Sequence, residues 1–143
     1  MIYTPLTRTA MAIACAAHQG QVDKSGYPYI HHPLHVAEEM TDELSCAAAL
    51  LHDVVEDTPW TLTQLKGAGV PDPVLEALAL LTHDEATPYL DYVRRLRSNP
   101  IARAVKLADL RHNSDLSRLE QVTDRDLSRL RRYEEAAALL TEK

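Results

Sequence analysis

The chain contains no phenylalanine and one tryptophan, and aromatic residues make up 5% of its 143 positions. A core without large rings must be filled by aliphatic side chains, and a Leu-, Ala- and Val-rich interior suits helices better than strands. Glycine is scarce, with four in all, too few for a turn-rich β fold. Only two cysteines occur, Cys15 and Cys46. Each lies in an alanine-rich helical pattern, so two buried free thiols in a reducing compartment are expected. No apolar run approaches the ~18 residues of a membrane span. The N-terminus lacks the charged stretch and continuous apolar run of a secretory signal. A cytoplasmic protein without membrane attachment is therefore expected. Basic residues are in deficit, 15 Lys and Arg against 21 Asp and Glu, for a net charge of −6. That balance argues against nucleic-acid binding through a broad basic face. It leaves room for a small basic pocket, or for a metal that inverts the local charge.

What is present is proline at helix starts, where its missing N–H costs nothing. Thr4-Pro5 opens a first helix running to about His18, with Gly20 as its stop. Pro33 fits the first turn of a second, to about Asp42. Residues 44–57 read as a third and Trp60–Gly67 as a short fourth capped by Thr61. Pro71-Asp72-Pro73 starts a fifth, through about His83. Thr87-Pro88 starts a sixth, to Arg97, and Asn99-Pro100 a seventh, to Asn113. Thr123 or Asp124 caps the last, whose apolar stripe is Leu127, Leu130, Ala137 and Leu140. No repeat, linker or long alternating pattern interrupts this series. The expectation is one compact all-α domain over residues 1–143, of about eight helices.

Chemistry concentrates in three stretches. The third helix begins as an apolar stem and ends in His52, Asp53, Glu56 and Asp57. Residues four apart share a helical face, so His52 would stand beside Glu56, and Asp53 beside Asp57. An adjacent His-Asp pair can offer one nitrogen and one oxygen to a single divalent ion, with the acids one turn later beside a bound water. The alternative is a solvated acidic helix end that opposes the macrodipole. The second stretch holds His31, His32 and His35. His32, before Pro33, has a restricted backbone that can aim a ligand, while His31 and His35 read as surface or supporting residues. In the third stretch, Asp109 is a lone acid in an apolar run. It either pairs with Lys106 or Arg111 or completes a metal shell.

Together these stretches resemble the HD-domain metal phosphohydrolases, and within them the hydrolase domain of the RelA/SpoT alarmone enzymes and their small stand-alone relatives, the metazoan SpoT homologues. The resemblance rests on Lys-Ser-Gly-Tyr-Pro-Tyr-Ile-His-His-Pro-Leu-His-Val-Ala (24–37), Ala-Leu-Leu-His-Asp-Val-Val-Glu-Asp-Thr (49–58) and Val-Lys-Leu-Ala-Asp-Leu-Arg-His-Asn (105–113), in the family's order. It implies a helical HD domain in which His32, His52, Asp53 and Asp109 hold one divalent ion, usually Mn²⁺, though another first-row ion would suit the same donors. Glu56 and Asp57 would position and deprotonate the attacking water. Lys24 would neutralise substrate phosphates, and Asn113 and Tyr133 would contact the nucleotide, Tyr133 having core packing as its other reading. His18 also resembles a family position, with a supporting role. The implied reaction removes the 3′-pyrophosphate of guanosine 3′,5′-bis(diphosphate), ppGpp.

The chain departs from the pattern at two places. Asp23 stands where the family usually has an arginine packed on the base, and offers no cation and no stacking plane. Leu116 stands where a threonine often follows the asparagine. Asp23 is retained as a substrate-contacting position that accepts hydrogen bonds from a base edge. Other nucleotide substrates stay open: ppApp, the phosphate of NADPH, or a 5′-nucleotide. So does a metal-bound sensor without turnover, which would have no need of both Glu56 and Asp57. The expected partner is a small nucleotide, not nucleic acid or a membrane; monomer and homo-oligomer are not distinguished.

Overall fold

The structure, a computed structural model, describes residues 1–142. Among the described residues there are nine α-helices: α1 Pro5–Ala17, α2 His31–Glu38, α3 Glu43–Leu51, α4 Val54–Asp57, α5 Leu62–Gly67, α6 Asp72–Leu81, α7 Tyr89–Leu96, α8 Pro100–Asn113 and α9 Asp124–Thr141, with a 3₁₀ turn at Leu116–Arg118 before the last. Among the described residues the only β pairing is the isolated bridge between Val22 and Pro28, which pinches the loop between α1 and α2. The all-helical expectation holds, and most starts fall where caps place them. The Thr4, Asp42, Thr61, Asn99 and Thr123 side chains each accept from a backbone N–H in the first turn of the following helix.

The ninth helix comes from a correction. The single helix expected over 44–57 is two, α3 and α4, broken at His52 and Asp53. His52 turns its Nδ1–H onto the Ala49 carbonyl at 2.6 Å, competing for an acceptor that the helical ladder would use. The β-branched pair Val54-Val55 follows, with restricted side-chain torsions that lower helix propensity. One turn of register survives, since Asp57 N–H reaches Asp53 O at 2.9 Å. Asp53 and Asp57 therefore keep the expected spacing, while His52 is swung out of it. Two smaller differences appear elsewhere. α2 begins at His31, with Pro33 in its first turn as expected and His32 inside that turn as well, and it ends at Glu38, short of Asp42. Cys15 is exposed, and only Cys46 is a buried thiol.

α3 is the central post. Every residue from Ser45 to Leu51 is buried, and the helix packs against α1, α2, α6 and α8. The run Ala47-Ala48-Ala49 makes this possible, because methyl side chains let four neighbours approach one helix. Leu50, Leu51, Leu65, Leu78, Leu96 and Leu110 fill the space between, in place of the missing rings. Outside this core α8 and α7 both pack on α9, whose stripe frays at its start, where Leu127 is exposed.

Leu50 is fully buried at the centre of this post. Leu50→Ala is expected to destabilise the fold by about 2–5 kcal/mol, read as a lower urea midpoint at unchanged slope. A loss below about 1 kcal/mol would mean that α3 is not the packing centre.

Candidate metal centre and adjoining cavity

Helix α2, the α3–α4 break and α8 meet where His32, His52, Asp53 and Asp109 point inward. His32 Nε2 lies 2.8 Å from Asp109 Oδ1 and 3.7 Å from Asp53 Oδ2. His52 Nε2 lies 3.1 Å from Asp53 Oδ2 and 3.5 Å from Asp109 Oδ1. The ligand atoms of His32, His52 and Asp109 all fall within 4.8 Å of one another. Two atoms bonded to one ion at about 2.1 Å stand about 3 Å apart when they meet it at right angles. The observed separations are of that size.

The outward atoms of these residues determine which atoms remain for an ion. His52 Nδ1 donates to Ala49 O, which leaves Nε2 with its lone pair, buried and without a hydrogen-bond partner. His32 Nδ1 lies 2.6 Å from Nδ1 of His112. Burial, then Arg118 and the neighbouring imidazoles, push His112 down to about 3, so its ring is neutral and able to accept from His32 Nδ1–H. With the proton on Nδ1, His32 Nε2 is free to bind an ion in place of the contact to Asp109. Asp53 Oδ2 accepts from the Tyr29 hydroxyl at 2.7 Å. Asp109 takes Lys106 Nζ on Oδ2 at 3.0 Å and Asn113 Nδ2 on Oδ1 at 3.0 Å. Two imidazole nitrogens and two carboxylates thus converge, a donor set for a divalent cation that would take the place of the proton otherwise shared between His52 and the carboxylates.

The titration of the centre states the same demand. Burial works against the charged form of His52, yet Asp53 and Asp109 raise its imidazole well above the ordinary value. Burial works to raise the Asp53 carboxyl, yet His52 beside it holds it down at about 2. Burial likewise opposes the ionised Asp109, and Lys106 keeps it well below the usual carboxylate range. Lys106 is therefore no alternative to a metal role for Asp109. It neutralises the outer oxygen while the inner one faces the imidazoles.

Glu56 and Asp57 stand one turn beyond, both exposed to solvent. Burial of their carboxyls and then the charge of Asp53 raise both, which favours proton uptake next to the centre. Their surroundings differ: Lys106 opposes the rise at Glu56, and His18 and then His52 oppose it at Asp57.

A cavity of about 460 Å³ opens beside His32 and Asn113. Asp23, Lys24, Asn113 and Tyr133 all line it. Tyr133 also packs against the core, its other reading. Asn113 does a second job as a donor to Asp109. Asp23 is less free than expected, since its Oδ1 accepts the backbone N–H groups of Ser25 and Tyr27 at 2.8 and 3.0 Å and its Oδ2 faces Arg118 Nη1 at 4.0 Å. Lys24 is mostly exposed and lies 3.6 Å from Asp126.

Sequence reasoning passed over His112, Tyr29, Arg118 and Arg129. His112 stands three residues after Asp109 on one helix, a spacing that signals a shared face. Tyr29 lay in a quoted motif without a role. Arg118 and Arg129, both lining the cavity, carry no local signal. Leu116, the departure noted above, lines it too. No described helix is long and apolar enough to cross a membrane.

The chain is similar to known proteins. A family model described as an HD domain matches residues 10–129. Guanosine-3′,5′-bis(diphosphate) 3′-pyrophosphohydrolase of Haemophilus influenzae is 41% identical over 120 residues, covering 71% of this chain and 17% of that protein. The protein of the same description from Mus musculus is 40% identical over 122 residues, covering 72% of this chain and 66% of its own length. The chain thus spans about a sixth of the bacterial relative, at 17%, and just under two thirds of the mouse protein, at 66%. A solved structure described as a metazoan orthologue of SpoT that hydrolyses ppGpp and plays a role in starvation responses superposes with a TM-score of 0.77 at 25% identity. It covers 99% of this chain and 88% of that one.

The centre makes a prediction about metal and pH. Chelation is expected to lower the thermal midpoint, and a divalent first-row ion at about 100 times its Kd to return about 2.7 kcal/mol. The gain shrinks from about pH 8 to about pH 6, because metal must displace the proton that the carboxylates hold on His52. It disappears in Asp109→Ala. A wild-type midpoint indifferent to ions at every pH would refute the metal reading.

Proposed function

The chain belongs to the HD-domain family, and on that premise we propose that it hydrolyses ppGpp, releasing the 3′-pyrophosphate and leaving GDP. One observation carries the reading: two imidazole nitrogens and two carboxylates converge beside a cavity lined by Lys24, Arg118, Arg129 and Tyr133. The similarity to proteins described as ppGpp 3′-pyrophosphohydrolases supports the substrate. In this reading His32, His52, Asp53 and Asp109 hold one divalent ion, and the mixed two-nitrogen, two-oxygen set favours Mn²⁺. A bound ion would lower the pKa of the attacking water and offset the charge of the scissile phosphate.

The remaining chemistry belongs to the chain. Glu56 and Asp57 orient the water and take its proton, roles that their raised carboxyls favour near neutral pH. Oxygen then attacks the phosphorus attached to the 3′-oxygen, the P–O3′ bond breaks, and the proton passes to the departing oxygen. Lys24 and Arg129 provide positive charge for the substrate's other phosphates, and Tyr133 a face for its nucleoside. Asn113 keeps Asp109 aimed while lining the cavity. Asp23 shapes its loop, and Arg118 supplies the cation at that rim which position 23 lacks.

Two measurements test this. Purified Mn²⁺-loaded protein should release pyrophosphate from ppGpp well ahead of its action on ppApp, NADPH or 5′-nucleotides. Release of monophosphate alone, or preference for another substrate, removes ppGpp from the reading. Glu56→Ala should keep its metal and lose about 10²–10⁴-fold in kcat. Wild-type turnover with metal bound would withdraw the water-orienting role from Glu56.

A further inference from the structure

The rim of the cavity carries its charges in two groups that differ in balance. Lys24 and Arg129 both approach one oxygen, Asp126 Oδ1, at 3.6 and 3.8 Å. Two cations on one carboxylate leave net positive charge, which suits a phosphate group. Arg118 faces Asp23, its Nη1 standing 4.0 Å from Asp23 Oδ2. The charges of that pair cancel, and a phosphate set there would meet the carboxylate as well as the cation. Apolar side chains accompany the pair along the cavity wall: Val22 next to Asp23, and Leu116 and Leu119 bracketing Arg118 in the chain. A flat, uncharged ring whose edge carries both donors and acceptors fits such a place, and a nucleobase has that form.

The pair is also held in a fixed order. Arg118 Nε donates to the His112 carbonyl at 3.1 Å, and the Arg118 carbonyl accepts from Ser25 Oγ at 2.8 Å. Asp23 Oδ1 accepts the N–H groups of Ser25 and Tyr27. The atoms that anchor the two side chains are thus occupied, and the atoms that face each other are not. At 4.0 Å the Nη1–Oδ2 contact is an ion pair, too long for a hydrogen bond. Among the described residues, Nη1, Nη2 and Oδ2 make no hydrogen bond. With Nη1 the nitrogen next to Asp23, they follow one another as Nη2, Nη1 and Oδ2: a donor, a donor and an acceptor.

We propose that Arg118 and Asp23 together form the base-reading edge of the cavity, and that Arg118 is the residue that selects guanine over adenine. The assignment rests on the hydrolase reading above and names the part of the site that chooses the base. Guanine presents N7 and O6 as neighbouring acceptors, followed by N1–H as a donor. Nη2 and Nη1 donate to N7 and O6, and Oδ2 accepts from N1–H. Adenine presents an acceptor at N7, a donor at N6 and an acceptor at N1, so its last two positions meet groups of their own kind. The carboxylate at position 23 therefore takes part in reading the base, and the arginine that the reading needs comes from the turn at Leu116–Arg118.

Dissociation constants of GDP, ADP and inosine 5′-diphosphate, measured by calorimetry on the full chain, test the base choice without turnover. The wild-type protein should bind GDP about 10–100-fold more tightly than ADP. Inosine 5′-diphosphate keeps N7, O6 and N1–H and lacks only the 2-amino group, so it should follow GDP. Arg118→Gln exchanges two donors for one donor and one acceptor, the pattern that suits adenine N7 and N6, and should bring the preference for GDP to unity or below. Asp23→Asn keeps an oxygen for the N–H groups of Ser25 and Tyr27 and turns a donor toward N1. It should erode the same preference, and it keeps the test open if Arg118→Gln disturbs the rim. Equal wild-type affinity for GDP and ADP, or inosine 5′-diphosphate as weak as ADP, would overturn the proposal. So would folded variants that weaken GDP and ADP by the same factor, which would leave Arg118 an anchor of the rim. Pyrophosphate release from ppGpp and ppApp on the same samples scores the hydrolase reading separately. A guanine preference that falls in both variants, in a protein that leaves ppGpp intact, upholds the base-reading pair and removes the reaction. Release from ppGpp and ppApp alike, with equal affinities for GDP and ADP, removes the pair and keeps the reaction.

Discussion

Two imidazoles and two carboxylates meet in one buried space, and a proton or a metal ion must lie between them to hold them together. His32, His52, Asp53 and Asp109 would repel one another there unless a cation or a proton stood at the centre. The surrounding structure keeps them in place by hydrogen bonds: Ala49 O and His112 for the imidazoles, Tyr29, Lys106 and Asn113 for the carboxylates. Much of the fold's local irregularity follows. α3 breaks at His52 because the ring that must present Nε2 inward has to spend Nδ1 on its own helix. A lysine is buried at α8 because the outer oxygen of Asp109 needs a charge. A histidine is kept neutral at position 112 because His32 needs an acceptor.

Such a centre can exist only on a rigid frame. The three segments that contribute to it, α2, the α3–α4 junction and α8, each pack against α3 or continue it. The alanines of α3 bring them close enough for inward atoms to approach within 2.8–3.7 Å. Larger residues at Ala47, Ala48 or Ala49 would separate the neighbours by more than the tolerance of a ligand bond. The low aromatic content noted at the outset is part of the same solution, since small and branched side chains fill a space that four helices share.

The legible parts of the sequence were those with a local rule. Caps at Thr4, Thr61 and Thr123 and proline at Pro5, Pro73 and Pro100 marked helix starts because their effects stay within one turn. His52-Asp53 and Asp109 stood out because a charged group in an apolar run demands a partner. The illegible parts depended on partners far along the chain. The break in α3 rests on a side-chain hydrogen bond that competes with the helical ladder, which periodicity does not detect. Cys15 looked buried because alanines surround it in sequence, but the helix turns that position outward. Arg118 gained meaning only once the turn at Leu116–Arg118 brought it against the loop of Asp23, 95 positions away in the chain and 4.0 Å in space.

The two halves of the site are built from different material, and this bears on how substrate choice is set. The inward-facing donors sit on helices locked into the core, where a change of one residue disturbs packing as well as chemistry. The cavity wall beyond them comes from the pinched loop at residues 22–28 and the segment from Asp115 to Asp126. These surface segments are joined by exposed contacts, Ser25 Oγ on Arg118 O at 2.8 Å and Lys24 beside Asp126. Exchanging charges there alters the rim without moving the centre. Asp23 illustrates the point. Its carboxylate stitches its own loop, and the cation at that rim is Arg118, fixed by the His112 carbonyl at 3.1 Å. That carbonyl belongs to the residue whose ring orients His32. The same helix end that aims a candidate metal ligand therefore also anchors the rim, and so couples substrate position to the centre through a few backbone bonds.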